Sequence, residues 1–173
     1  MILTVDEVRG LCPGMTDKAI QTQLDAIEGI IRAYTNNPFQ VRMARFCAPS
    51  ADRSLAGGSP YIKVGDTVQI SQSGVNDGLY IVETVTDDHV EVDRDLHEVE
   101  RNLVTKVEYP AAVKAVARNL VKWEAENRAK VGIKSETLSR YSVTYVEQDA
   151  SNQVMGYPVS LLGGLKPYMR ARF

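Results

Sequence analysis

The sequence predicts an α+β chain in which a small antiparallel helical bundle is interrupted by an inserted β-rich module and finished by an extended C-terminal arm. Three observations carry this. Residues 1–38 and 110–129 place apolar side chains at helical spacing, whereas 39–109 changes to short β-branched and aromatic runs divided by turn residues. The connection between the two helical stretches is about seventy residues, far beyond the roughly two to eight that join helices in bundles. The stretch between must therefore fold as a module. The expected domains are 1–38 with 110–173 for the helical core and arm, and 39–109 for the insertion.

In the first region Thr4-Val5-Asp6-Glu7 is a capping box, with the Thr hydroxyl and the Glu carboxylate serving the free amides of a helix start. That helix ends near Gly10, before Cys12-Pro13-Gly14. Thr16 caps a longer helix, with Asp17 in its first turn where a negative charge suits the helix dipole. Ile20, Leu24, Ile27, Ile31 and Tyr34 form its apolar stripe, and Asn36-Asn37-Pro38 stops it. A stripe this narrow needs a partner helix.

In the second region Phe39 to Met43 alternates like a strand. Pro49, Ser50, Ala51, Gly57, Gly58, Ser59 and Pro60 then predict an irregular loop. Strands are expected over Tyr61–Ile70, Leu79–Thr86, His89–Val92 and Leu103–Val107, with the charged stretch 93–102 as a connection. Val64-Gly65-Asp66-Thr67-Val68-Gln69-Ile70 followed by Asp77-Gly78-Leu79-Tyr80 looks like the opening of an SH3-like barrel, a pattern that speaks to fold and not to function.

The third region returns to helix after Tyr109-Pro110, with Pro at the first helical position. Val113, Val116, Leu120 and Trp123 make its buried stripe, widened by Ala117 and Val121; Arg128, Lys130 and Gly132 suit a C-terminal end. Tyr141–Val146 alternates as a strand or hairpin arm, Pro158 opens a short helical turn through Leu162, and Gly163-Gly164 breaks it. The last residues, Leu165 to Phe173, are apolar, aromatic and basic, unlike the small polar ends of chains that touch nothing. Together with Tyr157, Leu161 and Leu162 they should dock, either on the chain's own helices or on a neighbouring subunit or partner.

Composition narrows the function. The 44% apolar and 24% charged content is that of an ordinary globular protein, and the formal charge of −2 excludes a wholly basic nucleic-acid coat. No apolar run reaches the ~18 residues of a membrane span and no leader pattern opens the chain, so a cytosolic product without membrane association is expected. Cys12 and Cys47 lie in no metal or redox spacing and read as reduced, partly buried thiols. His89 and His97 are flanked by Asp87, Asp88, Glu91, Asp95 and Glu98, which as a set read as a solvated hairpin edge before they read as a metal site or a hydrolase centre. There is no Gly-x-Ser-x-Gly elbow and no phosphate-cradling Gly-rich loop. No catalytic residue, metal or cofactor is named, and a non-enzymatic chain is expected.

A family resemblance follows from residues at both ends. Leu3-Thr4-Val5-Asp6-Glu7-Val8, the Tyr34-Thr35-Asn36-Asn37 helix end, and the stretch from Lys130 through Gly132-Ile133-Lys134-Ser135-Glu136 to Ser142-Val143-Thr144-Tyr145 together resemble the head–tail connector (adaptor) proteins of tailed bacteriophages. Gly156-Tyr157-Pro158 and Leu165-Lys166-Pro167-Tyr168 are similar to that family's ending. The likeness covers about 100 residues; the β-insertion departs from the family's smallest members. It implies a virion protein of the neck, assembled in the bacterial cytoplasm. It would form a ring of about twelve subunits through a heterologous interface, bind the portal protein, and carry a stopper or tail-completion protein while DNA passes without tight binding. Carried over by residue, Leu165, Lys166, Pro167, Tyr168, Arg170, Arg172 and Phe173 would face the portal. Ser139, Arg140, Tyr141, Val143 and Tyr145 would form an inter-subunit arm, adding a strand to an adjacent protomer. The exposed faces of the 110–129 helix are candidates for the ring interface. The competing reading is an SH3-like binding module for nucleic acid or peptide, carried on a helical scaffold. Its expected surface holds Lys63, Tyr61 and Tyr80 but also Asp66, Asp77, Glu83, Asp87 and Asp88, a poor footprint for nucleic acid.

Overall fold

The computed structural model describes residues 1–127 and 153–171 and, between them, the backbone of two short strands. The chain is α+β, with α1 (Val5–Val8), α2 (Asp17–Thr35), β1 (Gln40–Ala56), β2 (Thr67–Ser71), β3 (Gly78–Val85), β4 (His89–Val107), α3 (Ala111–Asn127), β5 (Ser135–Leu138), β6 (Tyr141–Thr144), β7 (Gln153–Val154), β8 (Tyr157–Pro158) and α4 (Val159–Leu162). It divides into two compact units, Asn37–Tyr109 with Met1, and Ile2–Asn36 with Pro110–Phe173.

In the helical unit both N-terminal caps form. The Thr4 hydroxyl accepts from the Glu7 amide at 3.3 Å while the Glu7 carboxylate accepts from the Thr4 amide at 2.7 Å. Thr16 Oγ1 accepts from the Ala19 amide at 3.3 Å. The Thr4 amide first, and then the Thr4 hydroxyl, hold the Glu7 carboxyl below its usual range by donating to it, with Lys114 and Arg118 adding to the effect. The depressed folded value means that the contribution is fully present above the ordinary carboxylate range and is lost as pH falls through the lowered value. Acid titration followed by amide exchange at α1 should therefore show protection falling only as pH drops below the ordinary carboxylate range, and Glu7→Gln should abolish that pH dependence.

α2 buries Ile20, Leu24, Ile27 and Ile31 as the spacing predicts, but the stripe ends on Thr35, and Tyr34 stands half-exposed. Thr35 is accommodated because its hydroxyl donates to the Ile31 carbonyl at 2.7 Å. Glu28 shares the buried face, its carboxylate accepting from the Ile2 amide at 3.0 Å. α3 buries Val113, Val116, Ala117, Leu120 and Val121. It packs against α2 and against the C-terminal segment.

The β-unit is an antiparallel four-stranded sheet in the order β1-β4-β2-β3, with β3 also pairing the start of β4. The β2–β3 hairpin lies along one edge of β4, with β2 against Leu103–Val107 and β3 against Val90–Val92. No pairing joins β1 to β2 or β3, so the sheet is not closed. Its core comprises Ala44, Ala48, Leu55, Ile62, Val68, Ile70, Val82, Val90, Val92, Leu96 and Val104.

Three expectations for this region are corrected. The segment around Pro49-Ser50-Ala51 is part of β1 and not a loop; β1 is an edge strand, where a residue without an amide proton is tolerated. The turn chemistry is absorbed by register slips between Ala48 and Ser54, with Asp52 at φ 53°. The charged stretch 93–102 is likewise strand: β4 runs through it, burying Leu96 and Asn102 while its charges face outward. Conversely, Tyr61–Asp66 is turn. Gly65 takes φ +85° and Asp66 Oδ2 accepts from the Lys63 amide at 2.8 Å, so β2 starts only at Thr67.

A buried polar cluster ties the 72–77 loop to both long strands. Asn76, 1% exposed, donates through Nδ2 to His97 O at 2.9 Å, Ser50 Oγ at 3.1 Å and Asn102 Oδ1 at 3.2 Å. Its Oδ1 accepts from the His97 amide at 2.8 Å, and its carbonyl accepts from the Tyr80 hydroxyl at 2.9 Å. Both ends of the unit meet as well. Phe39, at φ 52°, packs against Tyr109 with ring centroids 4.9 Å apart and planes tilted by 48°, and its carbonyl accepts from the Glu108 amide at 3.0 Å.

Candidate functional site

The C-terminal segment is docked on the helical unit to which it belongs. Tyr157 is buried, with its ring edge-on to Trp123 at 5.4 Å and its hydroxyl donating to Glu124 Oε1 at 2.5 Å. The Tyr, Trp and Glu are brought together by the β7–β8 hairpin and by the last turns of α3. α4 then buries Leu162.

Gly163-Gly164 was expected to break the helix. Instead a 3-10 helix runs on from Gly163 to Tyr168 and buries Leu165. The reason is close packing: a Cβ on Gly164 would stand 2.9 Å from Val116 Cγ2 on α3, so only glycine lets the backbone approach this near. Further on, the Arg170 amide donates to Thr35 O at 2.8 Å, and Asn36 Nδ2 donates to Ala171 O at 2.9 Å. Asn36 is the left-handed cap of α2 at φ 48°, so the helix end that stops α2 also holds the tail.

This geometry sorts the residues expected to face the portal. Leu165 is fully buried between the 3-10 segment and its own helices, so it anchors the tail and presents nothing to a partner. Lys166, Pro167 and Arg170 are exposed and Tyr168 is half-buried; Met169, which joins them, is 50% exposed. Arg172 and Phe173 lie outside the described residues. Of the expected arm, Ser139, Arg140 and Tyr145 also lie outside them, as do Arg128, Lys130 and Gly132. Tyr141 and Val143 belong to β6, which pairs antiparallel with β5 in the register Leu138↔Tyr141 and Glu136↔Val143. Gly164 and Asn36 were read from the sequence only as residues that break or stop a helix, not as residues that hold the tail, and Glu124 was not singled out.

The remaining chemistry-bearing residues have local partners. His89 closes a tight turn with Thr86, its Nδ1 2.8 Å from Thr86 Oγ1, and its Nε2 stands 3.7 Å from Glu91. His97 engages Asn76 through its backbone, not through its ring. The guanidinium of Arg94 lies over the Tyr80 ring at 4.5 Å. Cys12 is buried, which raises its thiol pKa, whereas Cys47 is exposed on β1 and not partly buried as expected. Arg9 and Asp17 pair at 2.5 Å, which lowers the Asp17 carboxyl and raises Arg9. Among the described residues no group of three or more His, Cys, Asp or Glu converges, and no helix is long and apolar enough to cross a membrane.

Neither a protein-family model nor a curated protein sequence matches this chain.

Proposed function

We propose that the chain is a structural subunit of a virion: a head–tail connector that forms a ring on the portal, extends the DNA channel and gives a stopper or tail-completion protein its platform. The observation that carries the reading is the docked C-terminal segment. Its apolar residues Tyr157, Leu162 and Leu165 are held inside while Lys166, Pro167, Met169 and Arg170 are set outward at the chain's end. Arg and Met are enriched at protein interfaces, and a pre-ordered segment loses less conformational entropy on binding than a free tail. The order of the sequence motifs at both ends supports the same family. On this reading the helices form a small bundle, and the β-unit is an SH3-like barrel module in which β4 is shared by β1 and by the β2–β3 hairpin. The DNA passes without tight binding.

Co-sedimentation with portal rings of the same virus tests the reading. Lys166→Glu/Arg170→Glu should lose co-sedimentation while its unfolding midpoint stays within about 0.5 kcal/mol of the parent, as expected for exposed positions. Undiminished binding by that variant would remove the tail from the interface. Truncation is a poorer test unless the cut falls after Leu165, because an earlier one removes a core side chain.

A further inference from the structure

Where the register of β1 and β4 slips, their surface carries a groove of about 470 Å³. Pro49, Ala51, Ser54 and Ala56 give it small, mostly apolar walls, and Glu98 and Glu100 stand exposed on its rim. No ion pair is made by either glutamate among the described residues. Charge is divided unevenly along the chain. Residues 37–109 contain seven Lys or Arg against twelve Asp or Glu, and the remainder contains thirteen against ten.

The complementary surface is on α3. Lys114, Arg118 and Lys122 are exposed at intervals of four, hence on one stripe of the helix. Ala111, Ala115 and Asn119, also exposed, run beside them and leave the stripe's flank low. On the same unit, Glu7 lies near enough to Lys114 and Arg118 to feel both charges, and Lys122 stands 3.9 Å from Glu126. Cations four residues apart on a helix are separated by about 6 Å along its axis. Carboxylates two residues apart on a strand are separated by about 6.6 Å. The two spacings match, and the small walls of the groove leave room for long cationic side chains with their methylene stems against apolar surface.

We propose that the groove receives the α3 stripe of a second copy of this chain, with two neighbouring cations of Lys114, Arg118 and Lys122 set against Glu98 and Glu100. The contact is heterologous: each copy offers a groove to one neighbour and a stripe to the other. A contact of this kind closes into a ring when the rotation between copies permits. The proposal rests on the connector reading only for that closure; the contact itself is a property of the isolated chain.

Sedimentation velocity over a concentration series at low salt tests it with Glu98→Lys/Glu100→Lys, Lys114→Glu/Arg118→Glu and the fourfold variant that combines them. The parent should gain mass with concentration and lose that gain as salt screens the pairs. Each double variant alone should associate more than about tenfold more weakly, since like charges now face each other. Mixed together, the two double variants match at both contacts, the cationic stripe of one on the acidic groove of the other and the acidic stripe of the second on the cationic groove of the first, and should associate by alternation much as the parent does. The fourfold variant should regain the association of the parent. Circular dichroism and unfolding midpoints close to the parent's establish that the variants are folded. A parent that stays monomeric at every concentration, double variants that associate as the parent does, or a mixture that stays monomeric would each overturn the proposal. Should the chain fail here yet co-sediment with portal rings, this interface falls and the connector reading stands.

Discussion

Replacement of Asn76 by alanine is expected to cost the β-unit about 3 kcal/mol, because it strips the His97 amide of its acceptor and the buried Asn102 Oδ1 of the Asn76 donor. The Asn76 side chain makes four hydrogen bonds from a position 1% exposed, two to His97, one to Ser50 and one to Asn102. Ser50 Oγ also donates to His97 O at 2.7 Å, and Asn102 Nδ2 donates to Ala48 O at 3.1 Å, so the loss spreads through a connected network. Denaturant unfolding checks the size of the effect. Asn76→Asp should rank between parent and alanine, since it keeps the acceptor for the His97 amide and loses the donors. A cost below about 0.5 kcal/mol for Asn76→Ala, the range of an ordinary surface change, would show that the cluster does not hold the loop.

The second large effect is expected at the tail anchor. Leu165→Ala should lower the stability of the helical unit by about 3 kcal/mol, the usual range for a leucine lost from a core that collapses only in part. Gly164→Ala should act in the same direction by a different route, since its new methyl must displace the Val116 side chain or lift the 3-10 segment. Val116→Ala in the Gly164→Ala background should recover part of the loss, a coupling that a propensity effect alone would not produce. If Leu165→Ala and Lys166→Ala prove equally mild, the division of the tail into anchor and outward face is wrong.

How far these features could be read beforehand depended on whether their cause was local. Thr4, Glu7 and Thr16 act within one turn of helix, and they form the caps their spacing announces. The stripe on α2 was legible to Ile31; its end was not, because Thr35 enters the core only by returning its hydroxyl to the helix backbone. β1 and β4 were misread for one shared reason. Pro49, Asp52 and the charged run 93–95 carry turn chemistry, yet each long strand pairs with the other from residues distant in sequence, and bulges absorb what the pattern would have broken. Gly164 belongs to the same kind: beside Gly163 it looks like a break, and only the approach of Val116 explains it. In the candidate site, Lys166 and Arg170 were legible as exposed interface types, whereas the inward turn of Leu165 is set by packing against α2 and α3.

The pairing of Phe39 with Tyr109 has a consequence for descent. It fastens the two ends of the β-unit side by side, so the inserted stretch starts and finishes at nearly one place. The entropy of closing a loop grows only with the logarithm of its length. Once those two ends are joined, what lies between them is free to lengthen, shrink or be exchanged over generations while the helix ends stay where they are. An adornment of seventy-odd residues can thus be gained or shed by a single insertion or deletion at this seam.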